Sequence, residues 1–104
     1  MRNFRLPFLL AVALGLSGGS AAAQSTFESN TVRHGSYNKA VQLPSANPVE
    51  CQSICLADPR CVTWTFYKPG IQAIHALCMT RYTVADPYPS GCCSSGIVAS
   101  RVKK

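Results

Sequence analysis

Six cysteines, Cys51, Cys55, Cys61, Cys78, Cys92 and Cys93, crowd the stretch from residue 51 to residue 93 of this 104-residue chain. No other feature limits its fold as strongly. An even number of cysteines in a short chain reads as a disulfide framework, provided the chain leaves the reducing cytosol. The opening residues point to that route. Met1 to Arg5 carries Arg2 and Arg5, Pro7 to Leu16 is an unbroken apolar run, and Ser17 to Ser20 leads into Ala21-Ala22-Ala23. Basic, apolar and small residues in that order form a secretory leader, with cleavage expected between Ala23 and Gln24. The apolar run falls well short of the roughly 20 residues needed to span a bilayer. That length disfavours an uncut anchor, and no cysteine stands at the cleavage point to carry a lipid. The expected location is therefore secreted or periplasmic, with no stable membrane insertion once residues 1–23 are removed. Removing 23 residues leaves 81, room for one domain whose core alone is too small to dispense with staples.

The remaining chain is punctuated. Thr26-Phe27 and Thr31-Val32 suit short strands, Gly35-Ser36 a turn, and Tyr37 to Leu43 an edge strand stopped by Pro44. Asn47-Pro48-Val49-Glu50 marks a helix start. Asn47 can cap a free backbone N–H, Pro48 fits the first helical position, and Glu50 can return the capping bond. The helix is predicted from Pro48 to about Ala57, because Pro59 disfavours helical geometry at Asp58. From Arg60 to Tyr67 the period changes to strand alternation, with Val62, Trp64 and Phe66 between Thr63, Thr65 and Tyr67. Lys68-Pro69-Gly70 is a turn, and Ile71 to Ala76 a loop. Leu77 to Thr83 is a further strand, bounded by Asp86-Pro87 and Pro89-Ser90-Gly91. Gly96 to Val102 reads as a last strand.

Helical spacing puts Cys51 and Cys55 on one face. Cys55 is close enough in sequence to Cys61 to bridge around the turn at Pro59. Cys51 lies a turn earlier, about 6 Å along the helix axis. Neighbouring strands are about 4.8 Å apart, so a helix crossing the sheet brings Cys51 towards the strand that holds Cys78. The expected pairs are Cys51–Cys78 and Cys55–Cys61, although six cysteines permit many other pairings. Cys92 and Cys93 are then left to each other, to a second chain or to the thiol state, with mutual proximity the favoured arrangement. Counting alternation from Cys61 turns Thr63 and Thr65 towards the helix and Trp64 and Phe66 away from it. That far face is either roofed by the N-terminal segment over a second small core or left partly open as an aromatic surface.

Taken together, several runs resemble the bacterial branch of the PAN/apple family. They are Asn47-Pro48, Cys51-x-x-x-Cys55, Ala57-Asp58-Pro59-Arg60-Cys61, Trp64-Thr65-Phe66, Pro69-Gly70, Cys78 and Cys92-Cys93-x-Ser95-Gly96-Ile97. Arg33-x-Gly35-x-Tyr37 resembles that family's N-terminal element. The resemblance spans about Phe27 to Val98, within a single domain over residues 24–104. It implies an α+β fold: a small disulfide-rich PAN/apple domain with a curved antiparallel sheet and one α-helix packed across it. It also implies binding of protein or carbohydrate without catalysis. Two positions depart from the pattern, Thr63 for a frequent alanine and Thr80 for a frequent leucine. Both soften the core. The bridge that ties the two ends of larger relatives is missing, since no cysteine precedes Cys51.

Other functions find little support in the residues. A catalytic base needs a partner within reach, and the two histidines, His34 and His75, stand in no catalytic pattern. The carboxylates Glu28, Glu50, Asp58 and Asp86 are scattered, and Glu50 and Asp58 serve helix ends. The chain is therefore read as a non-enzyme that needs no cofactor. The alternative, a small cysteine-rich zinc-binding module, fits Cys51-x3-Cys55 only loosely, because Cys61 and Cys78 form no second pair. Eight Lys/Arg against four Asp/Glu in residues 24–104 give a net charge of +4, with Arg101, Lys103 and Lys104 at the end. This surplus leans towards acidic polysaccharide or a membrane surface, but a frayed, solvated tail is the plainer reading. The cations form no stripe, so no nucleic acid is expected. The partner is an unidentified protein or carbohydrate. Tyr37, Trp64, Phe66, Tyr67 and Tyr82 make the candidate ligand surface, and Tyr88 is a further ring that could stack on sugars or anchor a protein.

Overall fold

The computed structural model describes residues 23–103. The leader expected over residues 1–23 lies outside them, apart from Ala23. Among these residues the fold is built from five antiparallel strands and one α-helix. In chain order they are β1 (Glu28–Arg33), β2 (Lys39–Gln42), α1 (Pro48–Ala57), β3 (Thr63–Tyr67), β4 (Leu77–Arg81) and β5 (Pro87–Ile97). A 3₁₀ turn, Ala99–Arg101, follows β5. The strands are ordered β1-β5-β3-β4-β2 in a single sheet, a disulfide-rich α+β arrangement with the helix packed across β3, β4 and β5.

Local chemistry sets the helix ends. The Asn47 side chain accepts a hydrogen bond from the Val49 N–H at 3.0 Å, and Pro48 occupies the first turn. Glu50 does not close the capping box. Its carboxylate accepts instead from Ser45 Oγ at 2.8 Å. At the other end the Arg101 guanidinium donates to the carbonyls of Cys55, Leu56, Asp58 and Cys61 at 2.8–3.2 Å. A cation there satisfies orphan carbonyls and offsets the negative end of the helix dipole. The tail expected to fray is thus docked as far as Arg101, and the last strand ends at Ile97 because the chain turns to deliver that side chain.

Cys51 is bridged to Cys78, tying α1 to β4, and Cys55 to Cys61, tying α1 to the entry of β3. Cys92 is bridged to Cys93. The first four cysteines are wholly buried and pack with Leu43, Trp64, Phe66, Ala76 and Val98 between helix and sheet. The two faces of β3 are therefore opposite to the expectation. Phe66 lies opposite Cys78 in the ladder and so shares its helix-facing side, as does Trp64. The count went wrong because it began at Cys61, whereas the strand begins at Thr63. Cys61 and Val62 lie outside it, and a one-residue slip reverses every side chain.

Gly96 lies opposite Trp64 on the same face. A Cβ on Gly96 would meet the Thr26 carbonyl and come within 2.6 Å of the indole nitrogen, so the indole can lie there only over a glycine. The indole N–H donates to Ser25 Oγ at 2.7 Å, and Phe27 packs on the ring at 5.5 Å. These contacts give a physical reason for the glycine of the Ser95-Gly96 run.

The far face holds Thr63, Thr65 and Tyr67 and is roofed by β1. β5 runs from Pro87 without a break, although Asp86-Pro87 and Pro89-Ser90-Gly91 read as turns. Ser29 pairs with Ser94 and Thr31 with Pro89, so Ser90–Cys93 oppose Asn30 alone. Asn30 takes the left-handed conformation (φ 52°), which asparagine tolerates better than most residues. This bulge bends β5 and folds the end of β1 back over β3. Val32, Tyr67, Met79 and Cys93 form a second core there. Beside it is a buried polar knot. Thr65 Oγ1 donates to the Arg33 carbonyl and accepts from the Arg33 N–H and Arg81 Nη1, each at 3.4 Å, and lies 2.9 Å from Ser95 Oγ.

Candidate binding surface

Of the residues expected to form an aromatic ligand surface, three are interior. Trp64 is 0% exposed, Phe66 3% and Tyr67 7%. They are covered because the helix lies on the face of Trp64 and Phe66 and the roof of β1 on that of Tyr67. Tyr37 is 53% exposed and Tyr88 50%, and Tyr82 is partly exposed. The structure does not bring all the surface rings together. Tyr88 stacks at a tilt on His34, with centroids 5.3 Å apart, whereas Tyr82 carries the Arg60 guanidinium 4.6 Å from its ring centroid.

Concave features among the described residues include two that bear on binding. One is a groove of about 360 Å³ between the end of β2 and α1, walled by Val41, Gln42, Leu43, Pro44, Val49, Glu50, Ser53 and Ile54. Val49 is a helix residue that stays half exposed, so its apolar side chain faces the groove's solvent without joining the core. Strand β2 is an edge of the sheet, with one side of its backbone unpaired. The other is a hollow of about 440 Å³ beside the C-terminal end of α1, lined by Val62, Tyr82, Thr83, Val84, Arg101, Val102 and Lys103. Of these only Tyr82 and the terminal cations carried a signal in the sequence. The hollow forms from the residue before β3, the segment after β4 and the turn after β5, which no local pattern links.

Most charged side chains already hold the fold together. Glu28 receives Arg33 through Nε at 2.8 Å and Nη2 at 2.7 Å, a bidentate pair that holds Arg33 above its ordinary pKa. Arg33 Nη1 also donates to the Ala85 carbonyl. Arg81 has no ion-pair partner among the described residues; it donates to the Gly35 carbonyl, and burial lowers its pKa. Asp58 accepts from the Arg60 N–H at 3.0 Å, and that bond, with the nearby charges of Arg60 and Lys39, holds its carboxyl below the ordinary range.

All six cysteines are bridged, so the zinc alternative loses its thiolate ligands. Among the described residues no group of three or more His, Cys, Asp or Glu is placed to hold a metal ion. Nor is any helix among them long and apolar enough to cross a membrane. What the arrangement offers chemically is a clamped frame with an apolar groove and a cation-rimmed hollow.

A family model described as PAN domain matches residues 31–94, more than half of the chain. No curated protein and no solved structure matches it.

Proposed function

The chain belongs to the PAN domain family, whose members are generally non-catalytic modules that bind protein or carbohydrate, and from that premise we propose that it works as an exported binding module with no catalysis of its own. The mature domain would be residues 24–104, released to the periplasm or the exterior after removal of a leader ending at Ala23. Its disulfides suit that oxidising setting.

The observation that carries this reading is the groove between β2 and α1. The core leaves it open, its walls are mainly apolar, and it runs beside an unpaired strand edge. Apolar walls with a few polar groups are the usual make-up of a recognition site. The clamped helix forms one wall, so little ordering is needed on binding and more of the contact energy is retained. Tyr37 and Tyr88 offer further exposed contact area.

The test pairs a glycan array with capture of proteins from the exporting cell, using the oxidised chain and a Val49→Asp variant. Binding by the native chain that falls about tenfold in the variant supports the groove, the loss expected when a contact centre is charged. Turnover of a ligand, or equal binding by both chains, would refute this assignment.

A further inference from the structure

The cations of the described residues are unevenly placed. Lys39 and Arg60 both approach Asp58, at 3.8 and 3.5 Å. Arg101 grips the carbonyls at the end of α1 beside it, and Lys103 lines the same hollow as Arg101. Lys39 and Arg60 thus flank one carboxylate and Arg101 holds the helix C-terminus, while Lys103 has neither as a partner. The helix end carries roughly half a negative charge, so Arg101 is largely offset there. Asp58 offsets one of Lys39 and Arg60. At the hollow itself Lys103 is left without a counter-charge among the described residues, the Arg60 guanidinium lies over the ring of the lining residue Tyr82, and no carboxylate lines the hollow.

The hollow also has the other groups that a sugar needs. Tyr82 contributes an aromatic ring, Thr83 a hydroxyl, and Val62 and Val84 apolar contacts. Its volume of about 440 Å³ is in the range of small-molecule sites. A bilayer surface cannot enter a concavity of this size, and a nucleic-acid backbone needs a run of cations that the sheet does not provide. We propose that this hollow binds a uronate unit of an acidic polysaccharide. Lys103 meets the sugar carboxylate from the lining and Arg60 from its place over one face of Tyr82, while the other face of that ring packs against the sugar. The proposal rests on the binding-module reading but uses a site apart from the β2–α1 groove.

Titration calorimetry on the oxidised chain tests it, with oligogalacturonate as the probe and its fully methyl-esterified form as the uncharged control. The expected result is binding of the acid that weakens as salt is raised, with little or no binding of the ester. Arg60→Gln with Lys103→Gln should weaken binding about tenfold, as loss of central contacts does, with circular dichroism unchanged. Amide shifts on adding the acid should centre on Thr83 and Val84. Equal binding of acid and ester, an unchanged affinity in the double variant, or binding to phosphatidylglycerol vesicles without binding to oligogalacturonate overturns the proposal. If oligogalacturonate fails while a neutral glycan or captured protein binds native and variant chains alike, the hollow is misassigned and the module reading stands. If no ligand of any class binds, both fall.

Discussion

Thr80 Oγ1 is buried on the helix side of the sheet, opposite Trp64, with no hydrogen-bond partner. Thr65, one strand away on the other face, has a hydroxyl that bonds Arg33, Arg81 and Ser95. The same residue type therefore contributes with opposite sign at the two sites. A buried hydroxyl without a partner costs its desolvation and returns nothing. Thr80→Val keeps the shape and removes that cost, and should raise stability by about 1 kcal/mol in urea unfolding. A loss of stability would show that the hydroxyl has a partner in solution. Position 80 was legible as unusual, because leucine is frequent there in the family that the sequence resembles. Whether its hydroxyl is satisfied depends on the strand's facing, which alternation counted from Cys61 reverses because β3 begins only at Thr63.

Helix α1 shows how far local signals reach. Asn47, Pro48 and Pro59 suffice to bound it at Pro48–Ala57, since each acts on the backbone within a turn of itself. Its energetic completion is not local. Arg101 is 43 residues beyond Asp58, whose carbonyl it binds, and no periodicity announces such a contact. The bend of β5 is equally hidden, because Asn30 and Ser90–Cys93 are matched only by pairing across the chain. Arg101→Gln retains some hydrogen bonding but removes the charge. It should destabilise the fold by about 1–2 kcal/mol, in keeping with a cation at a partly buried helix C-terminus, and speed amide exchange at Cys55–Asp58. Unchanged exchange there would mean that the helix end is satisfied in another way. The candidate site divides along the same line. Tyr37 and Tyr82 were visible as rings, but the hollow depends on a turn that folds back from the last strand.

The whole molecule is stabilised unequally by its three bridges. Cys51–Cys78 spans 27 residues, Cys55–Cys61 spans 6, and Cys92–Cys93 spans 1. If constraint of the unfolded chain dominates, the first contributes about 3.6 kcal/mol and the second about 2.2 kcal/mol, while the vicinal bridge adds little. Paired Cys→Ala variants should lose stability in that order under denaturant, with the Cys92/Cys93 pair the mildest. A Cys92/Cys93 variant as unstable as the Cys51/Cys78 one would place the vicinal bridge among the main supports of the roof.

Arg101 also sets an order of assembly. A ribosome makes the chain from its first residue, so the carbonyls of Cys55, Leu56, Asp58 and Cys61 exist long before the guanidinium that will hold them. Until then the helix relies on its capped start, because its bridges close only in an oxidising setting. The last turn is the keystone of the domain, and a protease acting on nascent chains would find the helix end vulnerable until that turn is made.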